Sequence, residues 1–380
     1  MKKFVLLFIT GALTMGCHND EPTPVPPSVE LSESAIEVWF NQNEHSVEVE
    51  ATHEWTATSD SEWIVLIENE GIAGHTELKF SVSQNEEAET RTGTIVVENK
   101  QFGLSKSLSI TQLGLKNEYK ERTYTTINGR IVTPFESGAF DVEIESNTYE
   151  NGKGTIRFKS GVVKVGESAF YGNENLKSIA LPNSIVEIAG WAFSDCVYLE
   201  NITLGNRVKS IGNSAFGACV RLKEITIPES VETIGESAFY DCSAMTAFKG
   251  KFASEDNRCL IIDNVLINFA PKDIKEYKIA DGITDISAMA FYNSRLTSVT
   301  IPQSVVSIGD WAFYYSENLK SVYCKATTPP ALGGSAFDNS ENGIDKPIGC
   351  KIYVPTKAVN DYKSAENWSR YKNDITGYNF

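Results

Sequence analysis

Histidine is scarce in this chain of 380 residues and is confined to its first part. The four histidines are His18, His45, His53 and His75. The 305 residues that follow therefore cannot form a histidine-dependent triad, a Cys–His pair or a histidine-ligated metal site. Phosphate-binding loops, nucleophile elbows and dinucleotide fingerprints are missing as well. The sequence accordingly predicts no enzyme activity, no catalytic residue and no cofactor.

Basic residues are outnumbered: 34 Lys and Arg stand against 50 Asp and Glu, a formal net charge of −16. A nucleic-acid binder needs a basic surface that neutralises phosphates, so nucleic acid is excluded as a partner. Hydrophobic residues make up 41% of the chain and charged residues 22%, the balance of an ordinary globular protein. The length allows two or three domains.

The apolar run Phe4–Leu13 at the start of the chain is too short to span a membrane. Two lysines precede it and small residues follow, which is the pattern of a secretory signal peptide. Because the pattern ends at Gly16-Cys17, residues 1–17 resemble the signal of a Bacteroidetes lipoprotein, with Cys17 as the lipidated new N-terminus. The resemblance implies an outer-membrane lipoprotein, surface-exposed and held to the membrane only by its lipid, with ordinary secretion as the alternative. Residues 18–27 are rich in proline and predict a stiff linker.

Residues 28–115 alternate apolar and polar side chains in short runs separated by turn-prone residues, which predicts an immunoglobulin-like β-sandwich. The segments around Trp55, Trp63, Arg91 and the closing Leu108–Gln112 resemble a BACON domain. That resemblance implies binding of carbohydrate or mucin, or a spacer role. With 16 acidic and 4 basic residues the segment has a net charge of −12, which disfavours anionic partners. Trp55 and Trp63 could stack on sugars, but tryptophans in small sandwiches are more often core residues.

The remaining sequence is repetitive and is marked by Ala-Phe pairs spaced 23, 23, 23, 52, 22 and 24 residues apart. The pairs begin at Ala169, Ala192, Ala215, Ala238, Ala290, Ala312 and Ala336. A period of about 23 residues predicts a solenoid whose turns bury their apolar faces against one another. We expect a linker and entry strands at 116–150, repeats at 151–344 and a C-terminal cap at 345–380. The long spacing predicts an insertion at about 249–272, containing a hairpin that turns at Asp263-Asn264.

The repeat pattern A-F-x-x-C-x-x-L-x-x-I-x-I-P resembles the BspA-like leucine-rich repeat family. The segment Tyr149–Ile156 resembles the entry strand of that family, and the segment from Lys351 to Trp368 resembles its closing cap. The resemblance implies a mainly β solenoid on a bacterial surface protein that adheres to host proteins or other cells and is not an enzyme.

Two groups of residues in the repeats are candidates for a chemical site. Cys196, Cys219 and Cys242 occupy one repeat position and should stack about 4.8 Å apart, as buried free thiols or, alternatively, with one disulfide. The segment Asp338–Gly343 begins like a calcium loop, but Gly349 stands where the bidentate Glu is needed. We therefore expect a polar loop there and no metal site.

Aromatic columns beside the core phenylalanines are the candidate binding residues. Tyr171, Tyr240, Tyr292 and Tyr314 directly follow the Phe, and Trp191 and Trp311 directly precede the Ala-Phe pair. Exposed aromatic rings are common interface anchors, although they also shield solenoid corners. The expected partner is a host or microbial surface protein bound by the solenoid. The alternative is a mucin-type or polysaccharide glycan bound by the N-terminal domain.

Overall fold

A computed structural model describes residues 26–38, 40, 44–85, 87, 89–115, 120–135 and 138–380. The proposed signal peptide and the lipidation site Cys17 lie outside the described residues. The chain divides into two compact units, Met1–Gly114 and Leu115–Phe380. The expectation of a mainly β protein with a β-sandwich followed by a solenoid is confirmed.

The first unit is a sandwich of two sheets. Its strands are β1 (Val29–Leu31), β2 (Ala35–Val38), β3 (Glu44–Ala51), β4 (Trp55–Ser59), β5 (Ile64–Glu68), β6 (Glu70–Gly71), β7 (Gly74–Val82), β8 (Arg91–Asn99) and β9 (Leu104–Gln112). One sheet has the order β1-β3-β7-β5 and the other β2-β9-β8-β4-β6. Alternate residues face inward because side chains in a strand point to opposite faces, and Leu78, Phe80 and Ile95 are fully buried between the sheets.

The two tryptophans of the sandwich differ in their surroundings. Trp55 is buried, with its indole Nε1 donating to Thr76 Oγ1 at 2.9 Å, so the core interpretation is confirmed for it. Trp63 is half-buried, and the guanidinium carbon of Arg91 lies 4.5 Å from the centroid of its ring. Neither ring is freely exposed.

The second unit opens with antiparallel strands that cover the first turn of the solenoid. These are β10 (Glu121–Thr126), β11 (Ile144–Glu150) and β12 (Lys153–Phe158). Strand β10 pairs with β12 on one side and with the repeat strand Leu176–Ala180 on the other. The hairpin between β11 and β12 turns at Asn151-Gly152, both with positive φ, as a two-residue turn requires. The entry strands thereby satisfy an edge that would otherwise be open.

The repeats build two parallel walls. The first half has β13 (Lys164–Val165), β14 (Leu176–Ala180), β15 (Glu187–Ile188), β16 (Asn201–Thr203), β17 (Ser210–Ile211), β18 (Glu224–Ile227), β19 (Thr233–Ile234) and β20 (Ala247–Gly250). The second half has β21 (Cys259–Ile262), β22 (Val265–Phe269), β23 (Glu276–Lys278), β24 (Asp285–Ile286), β25 (Ser298–Ile301), β26 (Ser307–Ile308), β27 (Ser321–Cys324), β28 (Ala331–Leu332), β29 (Asp338–Glu341), β30 (Ile344–Pro347), β31 (Lys351–Pro355) and β32 (Ile375–Tyr378). Equivalent apolar residues pair in register, as Ile188 does with Ile211 and Ile211 with Ile234.

The interior of the solenoid is a stack of phenylalanine rings. The ring centroids of Phe170, Phe193, Phe216 and Phe239 follow one another at 5.1, 5.3 and 5.2 Å. Beside them the thiols of Cys196, Cys219 and Cys242 donate to the carbonyl oxygens of Phe170, Phe193 and Phe216 at 3.1 to 3.2 Å. All three cysteines are buried and free, which confirms the thiol interpretation. Burial raises the pKa of the Cys196 thiol to about 12, so this thiol is not a nucleophile at neutral pH.

The segment predicted as an insertion, 249–272, is only partly one. Its hairpin turns at Asp263-Asn264, as expected, with Ile262 paired to Val265. However, β22 also pairs in parallel with β24, and the ring of Phe269 stacks on that of Phe291 at 4.8 Å. The second arm of the hairpin is therefore a turn of the solenoid, and the insertion interpretation was wrong for it because the chain lacks the Ala-Phe signature there.

The segment Asp338–Gly343 is a strand and a tight turn rather than the expected polar loop. Strands β29 and β30 pair across Asn342 and Gly343, both with positive φ. Asp338 is fully buried and is held by Tyr371, whose hydroxyl donates at 2.9 Å, and by Arg370 Nη2 at 2.6 Å. Within the described part of the chain, no group of His, Cys, Asp or Glu side chains could hold a metal ion.

The C-terminal segment closes the solenoid with short helices. They are a 3-10 helix at Thr356–Ala358, α1 (Val359–Ser364) and a second 3-10 helix at Trp368–Tyr371. The rings of Trp368 and Tyr371 lie 6.0 and 5.6 Å from that of Phe337, the last phenylalanine of the stack. Among the described residues, no helix is both long and apolar enough to cross a membrane.

Candidate binding surface

Each turn that carries an Ala-Phe pair has a corner of five residues, x-Ala-Phe-y-z. The backbone is left-handed at x in all of these corners and at z in all but the last. Trp191 and Asp195 are the x and z residues of one corner, with φ of 52° and 57°. Backbone amides of one corner donate to the next turn, for example Trp191 N to Asn213 O at 3.0 Å and Asp195 N to Gly217 O at 2.8 Å. These bonds place equivalent side chains of successive turns above one another in columns.

The structure separates the six predicted aromatic residues by exposure. Tyr171, Trp191 and Trp311 are 47%, 44% and 40% exposed. Tyr240 and Tyr292 are half-buried. These three rings therefore offer the largest exposed area to a partner.

Tyr314 does not belong to the exposed surface, which corrects the expectation for this residue. Its side chain is only 8% exposed, and its hydroxyl donates to Asp345 Oδ1 at 2.5 Å. Burial and this hydrogen bond raise the pKa of Tyr314 to about 12. The hairpin that carries Asp345 has folded against the corner, an arrangement that the repeat pattern does not encode.

The Tyr240 ring packs against the preceding turn instead of projecting into solvent from its own turn. A Cβ atom placed on Gly217, the y residue of the preceding corner, would lie 2.0 Å from Cε1 of the Tyr240 ring. The ring can occupy this place because glycine has no side chain. This close approach explains why Tyr240 is half-buried.

Tyr240 and Tyr292 are in contact although 52 residues, more than two repeat periods, separate them. Their ring centroids are 5.7 Å apart, and Asn293 Nδ2 donates to Asp241 Oδ1 at 2.8 Å. The contact arises because β22 connects to β23 through residues 270–275 alone, whereas β24 connects to β25 through the longer corner segment 287–297. The turn that contains β22 lacks a corner, so the corners on either side of it meet.

The meeting of these corners gathers four tyrosines into one cluster. The Tyr292 ring lies 5.9 Å from that of Tyr314 and 5.7 Å from that of Tyr315, and the last two rings are 4.6 Å apart. Sequence reasoning missed Tyr315, the z residue of its corner. The signal that could have found it is the adjacent Tyr-Tyr pair after Phe313. Burial, and then the neighbouring carboxylate of Asp241, raise the pKa of Tyr292, so its hydroxyl keeps its proton at neutral pH.

The first unit offers a different surface. Val65, Ile67 and Ile72 are 55%, 51% and 68% exposed on the edge strands or the turn beside them. Ile72 also lines a shallow cavity of about 540 Å³ with Trp55, Gly71 and Glu98. Exposed aliphatic side chains of this kind are a feature of many binding surfaces.

The model of the BspA type leucine rich repeat region matches six copies at residues 142–254 and 267–351, more than half of the chain. The chain belongs to the BspA-type leucine-rich repeat family. The gap between the two matched ranges contains the turn of the β21–β22 hairpin. A second model, that of the BACON domain, a proposed N-terminal binding domain, matches residues 53–113. Leucine-rich repeats and a BACON domain indicate a binding role, and repeat families of this type are typically not enzymes.

Solved structures similar to this BspA-type chain include bacterial leucine-rich repeat proteins. One from Eubacterium ventriosum is 20% identical with a TM-score of 0.35, and the match covers 52% of this chain and 64% of that chain. One from Bacteroides ovatus is 22% identical with a TM-score of 0.23, covering 61% and 78%. A Bacteroides ovatus GH5 xyloglucanase in complex with a heptasaccharide is 16% identical with a TM-score of 0.22, covering 30% of this chain and 23% of that chain. Matches with such low TM-scores carry no argument about activity. No curated protein is significantly similar to the chain.

Proposed function

We propose that this chain is a non-enzymatic, lipid-anchored protein of the bacterial outer surface whose solenoid binds a host or microbial surface protein. The observation that carries the proposal is the exposure of Trp191, Trp311 and Tyr171 at the corners of the solenoid. Large rings of this kind supply much of the binding energy in protein interfaces.

The backbone at these tryptophans supports a binding role. Trp191 and Trp311 have φ of 52° and 53°, a left-handed conformation that is costly for a bulky residue. Serine occupies the same x position in most other corners, at Ser168, Ser214, Ser237 and Ser335. The local geometry therefore does not require tryptophan, and strained residues of this kind are enriched at functional sites.

Alanine variants of the two tryptophans test this surface. We expect Trp191→Ala and Trp311→Ala each to weaken binding to immobilised extracellular-matrix proteins at least about tenfold, the effect of a typical interface anchor. Ser214→Ala is the matched control, since it changes the same corner position without removing an aromatic ring, and it should bind as the parent chain does. Unchanged affinity in the Trp191→Ala/Trp311→Ala double variant would exclude this surface.

The anchor is proposed from the sequence of residues 1–17 and has its own test. Cells that express the chain and grow with a radiolabelled or clickable fatty acid should incorporate the label into the protein. The variant Cys17→Ser should lose the label and leave the membrane fraction. Label that persists in Cys17→Ser would contradict lipidation at this residue.

Glycan binding by the BACON domain is the second candidate function. It is favoured by the exposed Ile72 beside the cavity of about 540 Å³. The variant Ile72→Ser should abolish retention of the chain on immobilised mucin. Val306→Ser is the control, because Val306 is 62% exposed but lies on the solenoid, and this variant should be retained. Retention of the Ile72→Ser variant would assign mucin binding to another surface.

A further inference from the structure

A cleft of about 380 Å³ lies beside the tyrosine cluster, where the two corners meet. Its lining includes Asp241, Tyr292, Asn293, Arg295, Tyr315 and Glu317. Asp241 belongs to one corner, and the other residues belong to the next two corners or follow them directly. Asp241 reaches the cleft because the turn that contains β22 lacks a corner of its own.

Two aromatic rings form part of the wall of the cleft. The planes of Tyr292 and Tyr315 are inclined at 73° to each other, with their centroids 5.7 Å apart. Both side chains are half-buried, so each retains some accessible surface. Two inclined ring faces can contact the C–H bonds of a compact ligand on two sides.

The polar groups of the cleft include both donors and acceptors of hydrogen bonds. The bond from Asn293 Nδ2 to Asp241 Oδ1 orients both side chains, and it does not use Oδ2 of Asp241 or Oδ1 of Asn293. Arg295 is exposed and supplies guanidinium donors, and Glu317, also exposed, supplies carboxylate acceptors. Burial raises the pKa of Asp241, which favours a ligand that can donate a hydrogen bond to this carboxyl group.

The cleft carries charges of both signs, with the carboxylates of Asp241 and Glu317 beside the guanidinium of Arg295. Each ionic ligand therefore meets attraction from one part of the lining and repulsion from another. A neutral ligand that has many hydroxyl groups suits this mixture, because each hydroxyl both donates and accepts. Planar carboxylate, amide and guanidinium groups can each contact two neighbouring hydroxyls.

We propose that this cleft binds one or two residues of a neutral saccharide, with a pyranose ring against Tyr292 and Tyr315 and its hydroxyls bonded to Asp241, Asn293 and Arg295. The site lies on the repeat solenoid and not on the BACON domain. It does not depend on the tryptophan surface proposed above, so either proposal can fail without the other.

The repeat itself supplies matched controls for this site. Arg221 precedes Leu222 as Arg295 precedes Leu296, but its guanidinium carbon lies over the Tyr198 ring, 4.4 Å from the centroid. Asp195 is a z residue with φ of 57°, as Asp241 is with φ of 52°. Neither Arg221 nor Asp195 lines the cleft.

The experiment is a titration of the full chain with saccharides, monitored by ligand-observed NMR. The saccharides are the methyl glycosides of glucose, galactose, mannose and N-acetylglucosamine, and the disaccharides cellobiose and lactose. We expect saturable binding of at least one saccharide with a Kd of about 1 mM, which is modest because few atoms are in contact. Asp241→Asn and Arg295→Gln should each weaken it at least about fivefold, the loss of one hydrogen bond to a charged group. Asp195→Asn and Arg221→Gln should leave it unchanged.

Three outcomes would overturn the proposal. The first is that no saccharide binds saturably, and the second is that saccharide binding is unchanged in both Asp241→Asn and Arg295→Gln. The third is that the cleft binds tetramethylammonium in preference to the saccharides. Thermal unfolding monitored by circular dichroism verifies that each variant is folded. Because Arg295 is exposed, Arg295→Gln tests the cleft even if Asp241→Asn fails to fold.

Discussion

The position of Tyr240 depends on a single residue, Gly217. The tyrosine ring occupies the place where any other residue at position 217 would have its Cβ atom. The repeat pattern predicts only that position y varies between turns. A small residue in one turn and a large one in the next are therefore coupled across the corner, although 23 positions separate them.

Substitution of Gly217 tests this coupling. We expect Gly217→Ala to lower the free energy of unfolding in urea by about 1–3 kcal/mol, because the new methyl group displaces the Tyr240 ring. In a Tyr240→Ala background the same substitution should lower the free energy of unfolding much less, since the ring is gone. Gly334→Ala is the control, because its Cβ would lie 3.7 Å from the nearest atom, which is ordinary contact. Equal costs with and without Tyr240 would contradict the coupling.

At the scale of single elements, the β21–β22 hairpin decides how the two halves of the solenoid meet. Its tight turn places Asp263 and Asn264 at φ of 49° and 66°. Two left-handed residues in succession match the twist of the flanking strands, which is why asparagine, aspartate and glycine are preferred there. The sequence predicts this turn correctly because turn preferences are local.

The turn is expected to tolerate glycine but not a β-branched residue. Asn264→Val should lower the free energy of unfolding by about 1–2 kcal/mol, the cost of a left-handed conformation for such a side chain. Asn264→Gly should change the free energy of unfolding by about 0.5 kcal/mol or less. Asn201→Val, at an exposed position of β16, controls for the change of side chain and should be nearly neutral. If Asn264→Val is as well tolerated as Asn201→Val, the turn does not impose this constraint.

At the scale of the whole molecule, the solenoid has two hydrophobic clusters. One contains the phenylalanine stack from Phe170 to Phe239, and the other contains the stack from Phe269 to Phe337 and the cap. Each turn contacts its immediate neighbours, so local changes are expected to destabilise one end more than the other. Trp368 closes the second cluster, with its indole Nε1 donating to Pro330 O at 2.7 Å.

Removal of the Trp368 ring is predicted to loosen the C-terminal half selectively. Trp368 is fully buried, so Trp368→Ala should lower the free energy of unfolding by about 3–5 kcal/mol. Native-state hydrogen exchange should show faster exchange of amides in β27 and β31, with little change in β14 and β16. Trp311→Ala is the control, because that ring is 40% exposed and its loss should alter exchange far less. A uniform loss of protection over all turns would show that the solenoid unfolds as one unit.

The N-terminal β-sandwich, the repeat period, the buried thiols and the hairpin turn could all be predicted from the sequence. Each of them depends on a local pattern, such as alternation in a strand or the residues of a tight turn. The exposed corners at Trp191 and Trp311 could be expected for the same reason, because equivalent positions of a repeat have equivalent surroundings.

Where one turn departs from the repeat, only the tertiary structure determines which residues come into contact. The missing corner after β22 brings Tyr240 and Asp241 to Tyr292 and Asn293 and so places Asp241 in the cleft. The hairpin that carries Asp345 buries Tyr314 in the same way. A period describes what neighbouring turns share, whereas these contacts depend on how the chain is routed between segments that are distant in sequence. Sequence alone thus determined the solenoid and its columns, and the packing of its irregular turns determined which tyrosines remain exposed.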